Sequence, residues 1–165
     1  MTDDLLKRLG PSVTPFERRN AGNPDSLPVY ASESEKIKLT EFIIEITSAN
    51  DLAKLKLVEI DPIFADFPFD KKYLWIIDKN GFKVIPEATL NPFAGKDDRK
   101  VVCHTNITGG AEALQGGEVW FSTNKEAVIN FKSGRYGANE PHQVEAILEF
   151  FTLLGFTVFL SSRRL

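Results

Sequence analysis

The sequence predicts an α+β fold, with a mostly antiparallel sheet of about five or six strands and at least two helices packed on it. Residues 73–85 contain two runs of bulky apolar residues on either side of Asp-Lys-Asn-Gly, which is typical of a β-hairpin. Two further apolar runs, at 117–122 and 127–131, are separated by a short polar turn. Residues 144–154 carry apolar side chains at helical spacing, which indicates an amphipathic helix.

Length and composition are those of a single folded domain with a sizeable core. The chain has 165 residues, of which 42% are hydrophobic and 11% aromatic, and these values exclude a disordered chain. The net charge is −3 with both signs scattered, so there is no basic patch for a nucleic-acid duplex or a membrane surface. No run approaches the ~18 apolar residues of a membrane span. We therefore expect neither a nucleic-acid duplex nor a membrane as a partner.

The cysteine content and the first residues bear on the cellular location. Cys103 is the only cysteine, so an intramolecular disulfide is impossible and a cysteine-based zinc site is disfavoured. The first ten residues are acidic where a signal peptide needs positive charge, and no apolar segment follows them. These features predict a cytoplasmic protein.

The sequence divides into an irregular N-terminal arm at 1–32 and a single α+β domain at 33–165. A short helix at 3–9 would end at Gly10-Pro11, and further prolines and glycines interrupt the rest of the arm. Such an arm either lies over the domain or docks onto a protein partner.

The first part of the domain is predicted to be helical. Apolar residues at helical spacing predict a helix over 34–48, although the β-branched residues at 43–47 leave a strand open as an alternative. A second short helix is expected near 50–57, with Asn50 as its N-cap. Prolines and phenylalanines at 62–69 then form a compact apolar loop.

The remaining elements follow from the strand and turn patterns. In order they are the hairpin of 73–77 with 82–85, a polar loop at 88–99, strands at 100–106, 117–122 and 127–131, a helix from Asn139 and Pro141 to Gly155, and a strand at 156–160.

The candidate functional residues fall within 101–137. Alternation along the predicted strand at 100–106 puts His104 and Cys103 on opposite faces, which disfavours a Cys–His nucleophile pair. On the next strand, Glu118 and Trp120 share a face. If Val119 and Phe121 on the other face point into the core, Glu118 and Trp120 line a solvent-accessible groove, which His104 joins if the register permits.

His104 and Glu118 are the candidate catalytic residues. A histidine in this position either acts as a general acid or base, or is a half-buried strand residue bonded to a backbone carbonyl. Glu118 follows paired glycines that allow a ligand to come close, although a glutamate that begins a strand is often only solvated. No pair of histidines with a carboxylate has the spacing of metal ligands, so we predict neither a metal site nor a cofactor.

Other polar residues of the stretch are suited to ligand binding. The segment 106–110 offers amides and hydroxyls for an anion, although it is not a Walker loop. Arg135 can hold a phosphate or carboxylate, or can pair with a surface acid, and Tyr136 can stack on a ring. The predicted ligand-binding residues are Thr105, Gly109, Gly110, Trp120, Ser133, Arg135 and Tyr136.

The order His-Thr, Gly-Gly, Gly-Gly-Glu and Ser-Gly-Arg-Tyr resembles C-terminal effector regions of bacterial polymorphic toxins. It is also similar to a region of plant calmodulin-binding IQ-motif proteins. The resemblance covers about 101–137 and the helix that follows, and it departs at Arg135, where that pattern usually has His. It carries over His104, Thr105, Gly109, Gly110, Gly117, Glu118, Ser133, Gly134 and Tyr136.

Three functions are consistent with these features. The first is an effector or toxin-like enzyme that acts on a nucleotide-like substrate such as NAD. In it, His104 and Glu118 contact ribose hydroxyls or a developing positive charge, Arg135 holds phosphate, and Trp120 or Tyr136 stacks on the base. The second is a non-catalytic module that binds a small ligand or a peptide. The third is a structural or interaction protein whose arm docks on a partner.

Overall fold

The structure, a computed structural model, describes residues 1–16, 32–59, 68–136 and 140–161. Its strands are β1 (Ile44–Ile46), β2 (Leu57–Val58), β3 (Tyr73–Asp78), β4 (Gly81–Pro86), β5 (Gln115–Ser122), β6 (Glu126–Asn130) and β7 (Thr157–Leu160). Its α-helices are α1 (Asp3–Leu9), α2 (Thr105–Thr108) and α3 (Pro141–Leu153). None of the helices in these ranges is long and apolar enough to cross a membrane.

The strands form one sheet in the order β1-β4-β3-β5-β6-β7, and β2 pairs with the end of β5. All pairs are antiparallel except β2 with β5 and β6 with β7. This arrangement confirms the predicted α+β fold with its mostly antiparallel sheet. The described part of the chain has seven strands rather than five or six. It lacks the predicted strand at 100–106 and adds β1, which lies within the alternative at 43–47, and the two-residue β2, which the sequence pattern does not mark.

Both predicted hairpins are confirmed. β3 and β4 pair from Tyr73 opposite Pro86 to Asp78 opposite Gly81, and Gly81 has a φ of +134°. β5 and β6 form the second hairpin, in which Lys125 has a φ of +57° at the turn. Glycine suits the positive φ at Gly81, whereas Lys125 adopts a conformation that is uncommon for a residue with a side chain.

One face of the sheet, here called the helix-covered face, holds the main core. Val119 and Phe121 point into it, as predicted, and Trp75 makes an edge-to-face contact with Phe151 of α3 at 5.5 Å. Helix α3 begins at Pro141 with Glu140 as its N-cap, and Gly155 follows its end with a φ of +102°. The predicted cap, Asn139, lies outside the described residues.

Residues 1–16 of the predicted arm lie over the domain, which is the first of the two alternatives, and they contribute to its core. Helix α1 forms where the sequence predicts it, and Leu5 and Leu9 are fully buried in the main core. Arg8 pairs with Glu149 of α3 at 2.6 Å, which fixes α1 against that helix. Residues 17–31, the rest of the predicted arm, lie outside the described residues.

The predicted helix at 34–48 is wrong. Two 3₁₀ turns, Glu33–Lys36 and Thr40–Phe42, precede β1, so the alternative of a strand at 43–47 fits the structure better. The β-branched residues favour this because they pack on the pleated edge of β4. The predicted helix at 50–57 is a 3₁₀ helix, Ala49–Lys54, and its cap is Ser48 rather than Asn50. Most of the predicted apolar loop at 62–69 lies outside the described residues.

The predicted strand at 100–106 is also wrong. Only Val101 forms a bridge, with Leu90, before the chain turns into α2. The Asn106 side chain explains the turn, because its Oδ1 accepts from the Cys103 amide at 2.9 Å while Nδ2 donates to the carbonyl of Ser34 at 2.9 Å. A side chain thus supplies hydrogen bonds that a neighbouring strand would otherwise supply.

Loops and α2 cover the other face of the sheet, here called the loop-covered face. Its centre is apolar and includes Leu74, Ile76 and Ile85. Charged groups lie at both ends of this centre: Lys72, Glu87 and Glu118 at one end, and Asp78 and Lys83 at the other. Of the candidate site residues, His104, Glu118 and Ser133 lie at the first end.

Candidate functional site

A small polar depression of about 220 Å³ lies at the end of the loop-covered face that carries Glu118. It is called the polar depression below. Its polar lining residues are Glu87, Arg99, Cys103, His104, Glu118, Lys132 and Ser133. Three of the predicted site residues, His104, Glu118 and Ser133, therefore meet in one place.

His104 lies immediately before α2, and only 8% of it is exposed. Its Nε2 atom is 2.8 Å from the carbonyl oxygen of Gly117, which can only accept a hydrogen bond, so Nε2 carries the proton and Nδ1 is left as the acceptor. Burial lowers the pKa of the imidazole to about 4. The ring is therefore neutral near pH 7.

Glu118 is held by two partners on the loop-covered face. Its Oε2 lies 2.9 Å from Nζ of Lys72, and its Oε1 accepts from Nδ2 of Asn130 at 2.9 Å. Lys72 also pairs with Oε2 of Glu87 at 2.7 Å, so one ammonium group lies between two carboxylates. All three side chains are at most 13% exposed. Arg99 lies close to Glu87 and supplies a second positive charge, so two bases balance the two acids.

The positive charge at the polar depression comes from an exposed loop that carries Arg99 and a partly buried loop that carries Lys132. Arg99 is 54% exposed, and its guanidinium lies 3.8 Å from Oε1 of Glu87. The Lys132 side chain has no ion pair within the described part of the chain. Lys132 thus remains available for a ligand, and Arg99, although close to Glu87, is exposed enough to contact one.

Trp120 shares a face with Glu118, as the strand alternation predicts, but no open groove runs along them. Trp120 is 5% exposed and donates from its indole nitrogen to the carbonyl of Pro68 at 3.2 Å. The ammonium group of Lys72 lies 5.5 Å from the centre of the indole ring. The expected solvent-accessible groove is therefore filled by Lys72, and Trp120 does not line the polar depression.

The predicted anion cradle at 106–110 is not formed. The amide of Gly109 donates to the carbonyl of Thr105 at 2.7 Å, and the amide of Gly110 donates to Oγ1 of Thr108 at 3.1 Å. Gly109 ends α2 with a φ of +68°, which explains the choice of glycine there. Thr105 is fully buried, and its hydroxyl lies 3.1 Å from Sγ of Cys103. Thr105, Gly109 and Gly110 thus stabilise the turn and do not line the polar depression.

Arg135 and Tyr136 also lie away from the polar depression. Arg135 donates to Glu35 at 3.1 Å and stacks over the ring of Phe16 at 4.9 Å, which agrees with the alternative in which it pairs with an acid. Tyr136 is fully buried, and its hydroxyl donates to the carbonyl of Ala111 at 2.7 Å. Burial raises the pKa of Tyr136 to about 12. Both residues fix loops on the sheet.

The paired glycines before Glu118 are required by packing. A Cβ atom on Gly117 would overlap the carbonyl oxygen of Asn130 and lie 2.8 Å from the indole of Trp75. A Cβ atom on Gly116 would lie 3.2 Å from Cβ of Tyr136. The space that the two glycines leave open is therefore occupied by other atoms of the protein and not by a ligand.

Sequence reasoning missed Lys72, Glu87, Arg99 and Lys132. Lys72 and Glu87 lie just beyond the open end of the β3–β4 hairpin, next to the pair of Tyr73 with Pro86. The hairpin register alone therefore indicates that these two charges meet. Arg99 and Lys132 lie in loops, where no hydrophobic periodicity of the sequence predicts the position of a side chain.

Two further observations bear on the chemistry of the polar depression. Burial raises the pKa of the Cys103 thiol, so it is not an activated nucleophile near pH 7. Within the described ranges, no group of three His, Cys, Asp or Glu side chains is arranged to hold a metal ion.

Comparison of the chain with protein-family models, with curated proteins and with solved structures gives no match. The functional conclusion therefore rests on the geometry of the polar depression.

Proposed function

We propose that the protein binds a small phosphorylated, hydroxyl-rich ligand in the polar depression, of the class that includes the ribose phosphate part of a nucleotide. The observation that carries the proposal is the meeting of Arg99 and Lys132 with His104 and Glu118 around one space. The two cations can donate charge-assisted hydrogen bonds to a phosphate, and the imidazole and the carboxylate can accept hydrogen bonds from sugar hydroxyls.

The size of the polar depression supports a small ligand. Pockets for drug-sized ligands have volumes of about 300–1,000 Å³. The 220 Å³ of the polar depression is smaller, so a whole dinucleotide would leave most of its atoms outside. The proposal includes a cytoplasmic location, where nucleotides and their sugar phosphates are available and a free thiol such as Cys103 stays reduced.

Titration calorimetry with ribose 5-phosphate tests this proposal. We expect saturable binding that ribose or inorganic phosphate alone does not reproduce. Lys132→Ala and Arg99→Ala are each expected to weaken binding about tenfold, because each removes a charge-assisted hydrogen bond to the phosphate. Lys56→Ala, which changes an exposed lysine elsewhere, serves as the matched control. Equal affinity of Lys132→Ala and the wild type, or no binding of ribose 5-phosphate, contradicts the proposal.

A second candidate function is an effector-type enzyme that cleaves the glycosidic bond of a nucleotide such as NAD. The observation that favours it is that a buried carboxylate and a neutral imidazole line the same depression. In this reaction water adds to C1′ of the ribose as nicotinamide leaves, and Glu118 stabilises the positive charge that develops on the sugar.

Incubation of the protein with NAD, followed by chromatography of the products, tests for catalysis. Release of nicotinamide by the wild type and its loss in Glu118→Gln are the expected results. The substitution keeps the shape and removes the charge. If the wild type releases no nicotinamide while ribose 5-phosphate still binds, the function is binding alone.

A further inference from the structure

We propose that a second site, at the opposite end of the loop-covered face, binds an amphipathic anion: a molecule with an extended apolar body and one carboxylate at its end. The site lies where the β3–β4 turn, the chain after α1 and the chain after α2 come together. It shares no lining residue with the polar depression, so the proposal does not depend on the proposed function.

The first part of this site is a depression of about 420 Å³, here called the cationic depression. Its charged lining residues are Lys38, Asp78, Lys79, Lys83 and Glu112. Its volume falls within the ~300–1,000 Å³ range of small-molecule sites. A ligand larger than a simple inorganic anion therefore fits.

The charges of the cationic depression leave positive groups available. Lys83 pairs with Asp78 at 2.9 Å, and Asp78 also accepts from the Asn80 amide at 2.8 Å, so this pair is neutralised internally. Lys38 and Lys79 are exposed and form no ion pair with any described residue. With Glu112 as the only other acid in the lining, three ammonium groups face two carboxylates. The site therefore favours an anion.

The second part of the site is an adjoining depression of about 420 Å³, here called the apolar depression. Leu6, Pro11 and Leu114 form its apolar lining, and Gly10 and Lys7 also border it. Ser12 and Lys79 line both depressions, so the two meet at these residues. An apolar floor that continues into a cationic end matches a ligand with an apolar body and an anionic head.

Lys79 decides the orientation of the ligand. Lys79 belongs to the turn between β3 and β4 and lines both depressions, so an anionic head beside it leaves the body free to extend over Leu6 and Leu114. Burial of the body against these side chains removes apolar surface from water. A short anion that lacks the apolar chain gains only an ion pair with an exposed lysine, and such a pair is weak.

Titration calorimetry with decanoate, below its micelle-forming concentration, tests the proposal on the full chain. We expect saturable binding of decanoate and none of acetate, which lacks the apolar body. Decyltrimethylammonium, which has the same chain and the opposite charge, is expected not to bind. If it binds as tightly as decanoate, the site does not select anions and the proposal is wrong.

Two variants locate the decanoate site. The double variant Lys38→Ala/Lys79→Ala is expected to weaken decanoate binding at least about tenfold, while Lys96→Ala, an exposed lysine outside both depressions, leaves it unchanged. Ser12→Phe is expected to abolish binding, because it fills the junction of the two depressions. If this variant does not fold, the double lysine variant decides the question, since both lysines are exposed. Wild-type affinity in the double variant, or no binding of decanoate at all, overturns the proposal.

Discussion

At the scale of single residues, the most constrained position in β5 is Gly117. The indole of Trp75 lies against it, and Nε1 of Trp75 donates to the carbonyl of Glu118 at 3.0 Å. The same backbone segment therefore supports the core on one face and positions Glu118 and the Gly117 carbonyl, the partner of His104, on the other. A change at Gly117 reaches both the core and the polar depression.

Gly117→Ala is expected to destabilise the fold by about 3 kcal/mol, because the added methyl group overlaps the Asn130 carbonyl and the Trp75 ring. Gly95→Ala is the control, since a methyl group there meets only the flexible side chain of Asp98, at 3.3 Å. Urea denaturation of the two variants measures the difference. Equal unfolding midpoints of Gly117→Ala and the wild type contradict the packing argument.

His104 makes stability depend on pH. Its folded pKa is lowered from 6.5 to about 4, so between these two values the unfolded chain binds a proton that the folded chain does not. Stability is therefore unaffected by this group above pH 6.5 and falls as the pH decreases toward 4, by roughly 3 kcal/mol in all.

His104→Gln is expected to remove this part of the pH dependence. The glutamine amide can still donate to the Gly117 carbonyl, but it does not titrate. The measurement is the free energy of unfolding of both proteins in urea at about pH 7 and about pH 4.5. If the wild type and His104→Gln lose the same stability over this interval, the imidazole is not held neutral by burial.

At the scale of elements, α1 depends on its contacts with α3 and β5. Gln143 of α3 donates to the carbonyl of Gly10 at 3.0 Å, and Gln115 of β5 donates to that of Leu9 at 2.7 Å. A helix of seven residues is too short to be stable alone. Its stability therefore comes from this docking and from the burial of Leu5 and Leu9.

Leu9→Ala is expected to destabilise the protein by about 3 kcal/mol, because Leu9 is fully buried and its truncation leaves a cavity. Lys7→Ala, in the same helix but exposed, is expected to change stability by no more than about 0.5 kcal/mol. Thermal and urea unfolding of both variants provide the comparison. A small effect of Leu9→Ala means that α1 lies outside the core.

How well each element follows from the sequence depends on where its hydrogen bonds come from. The β3–β4 and β5–β6 hairpins and α3 are predicted correctly because turn residues, caps and hydrophobic period act within a few positions. The segment 100–106 is not, because Asn106 bonds to the carbonyls of Ser34 and Ile37, which are distant in the chain. The apolar period at 34–48 suits a helix, yet pairing with β4 makes part of it a strand.

The same distinction applies to the candidate site. Glu118 and the inward direction of Val119 follow from strand alternation, and His104 meets Glu118 although its own strand does not form. Arg135 and Tyr136 do not face the polar depression, because they bond to residues such as Glu35 and Ala111. The positions of these partners cannot be predicted from hydrophobic periodicity.

At the scale of the whole molecule, the two faces of the sheet are held by different forces. The helix-covered face is mainly apolar, with edge-to-face contacts among Trp75, Phe82 and Phe151. Gln115 is a buried polar residue on the same face. The loop-covered face has an apolar centre between two groups of ion pairs. Within the larger group, Lys72 pairs with both buried carboxylates, and Arg99 lies 3.8 Å from one of them, Glu87.

Lys72→Met is expected to destabilise the protein by about 3 kcal/mol, because Glu87 and Glu118 are left buried without their shared cation. The triple variant Lys72→Met/Glu87→Gln/Glu118→Gln is expected to recover most of this loss, since it removes the uncompensated charges. Lys71→Met controls for the change of residue type. Urea unfolding at neutral pH gives the values, and a triple variant no more stable than Lys72→Met contradicts the charge argument.

The contact between α1 and α3 has a consequence for how the chain acquires its structure during synthesis. Arg8 and Glu149 are 141 positions apart, so the first helix emerges from the ribosome long before its docking surface exists. Until then Leu5 and Leu9 remain exposed to water and to other nascent chains, a condition that favours recognition by chaperones. Such distant partners also slow the final closure of the domain relative to folds built from neighbouring segments.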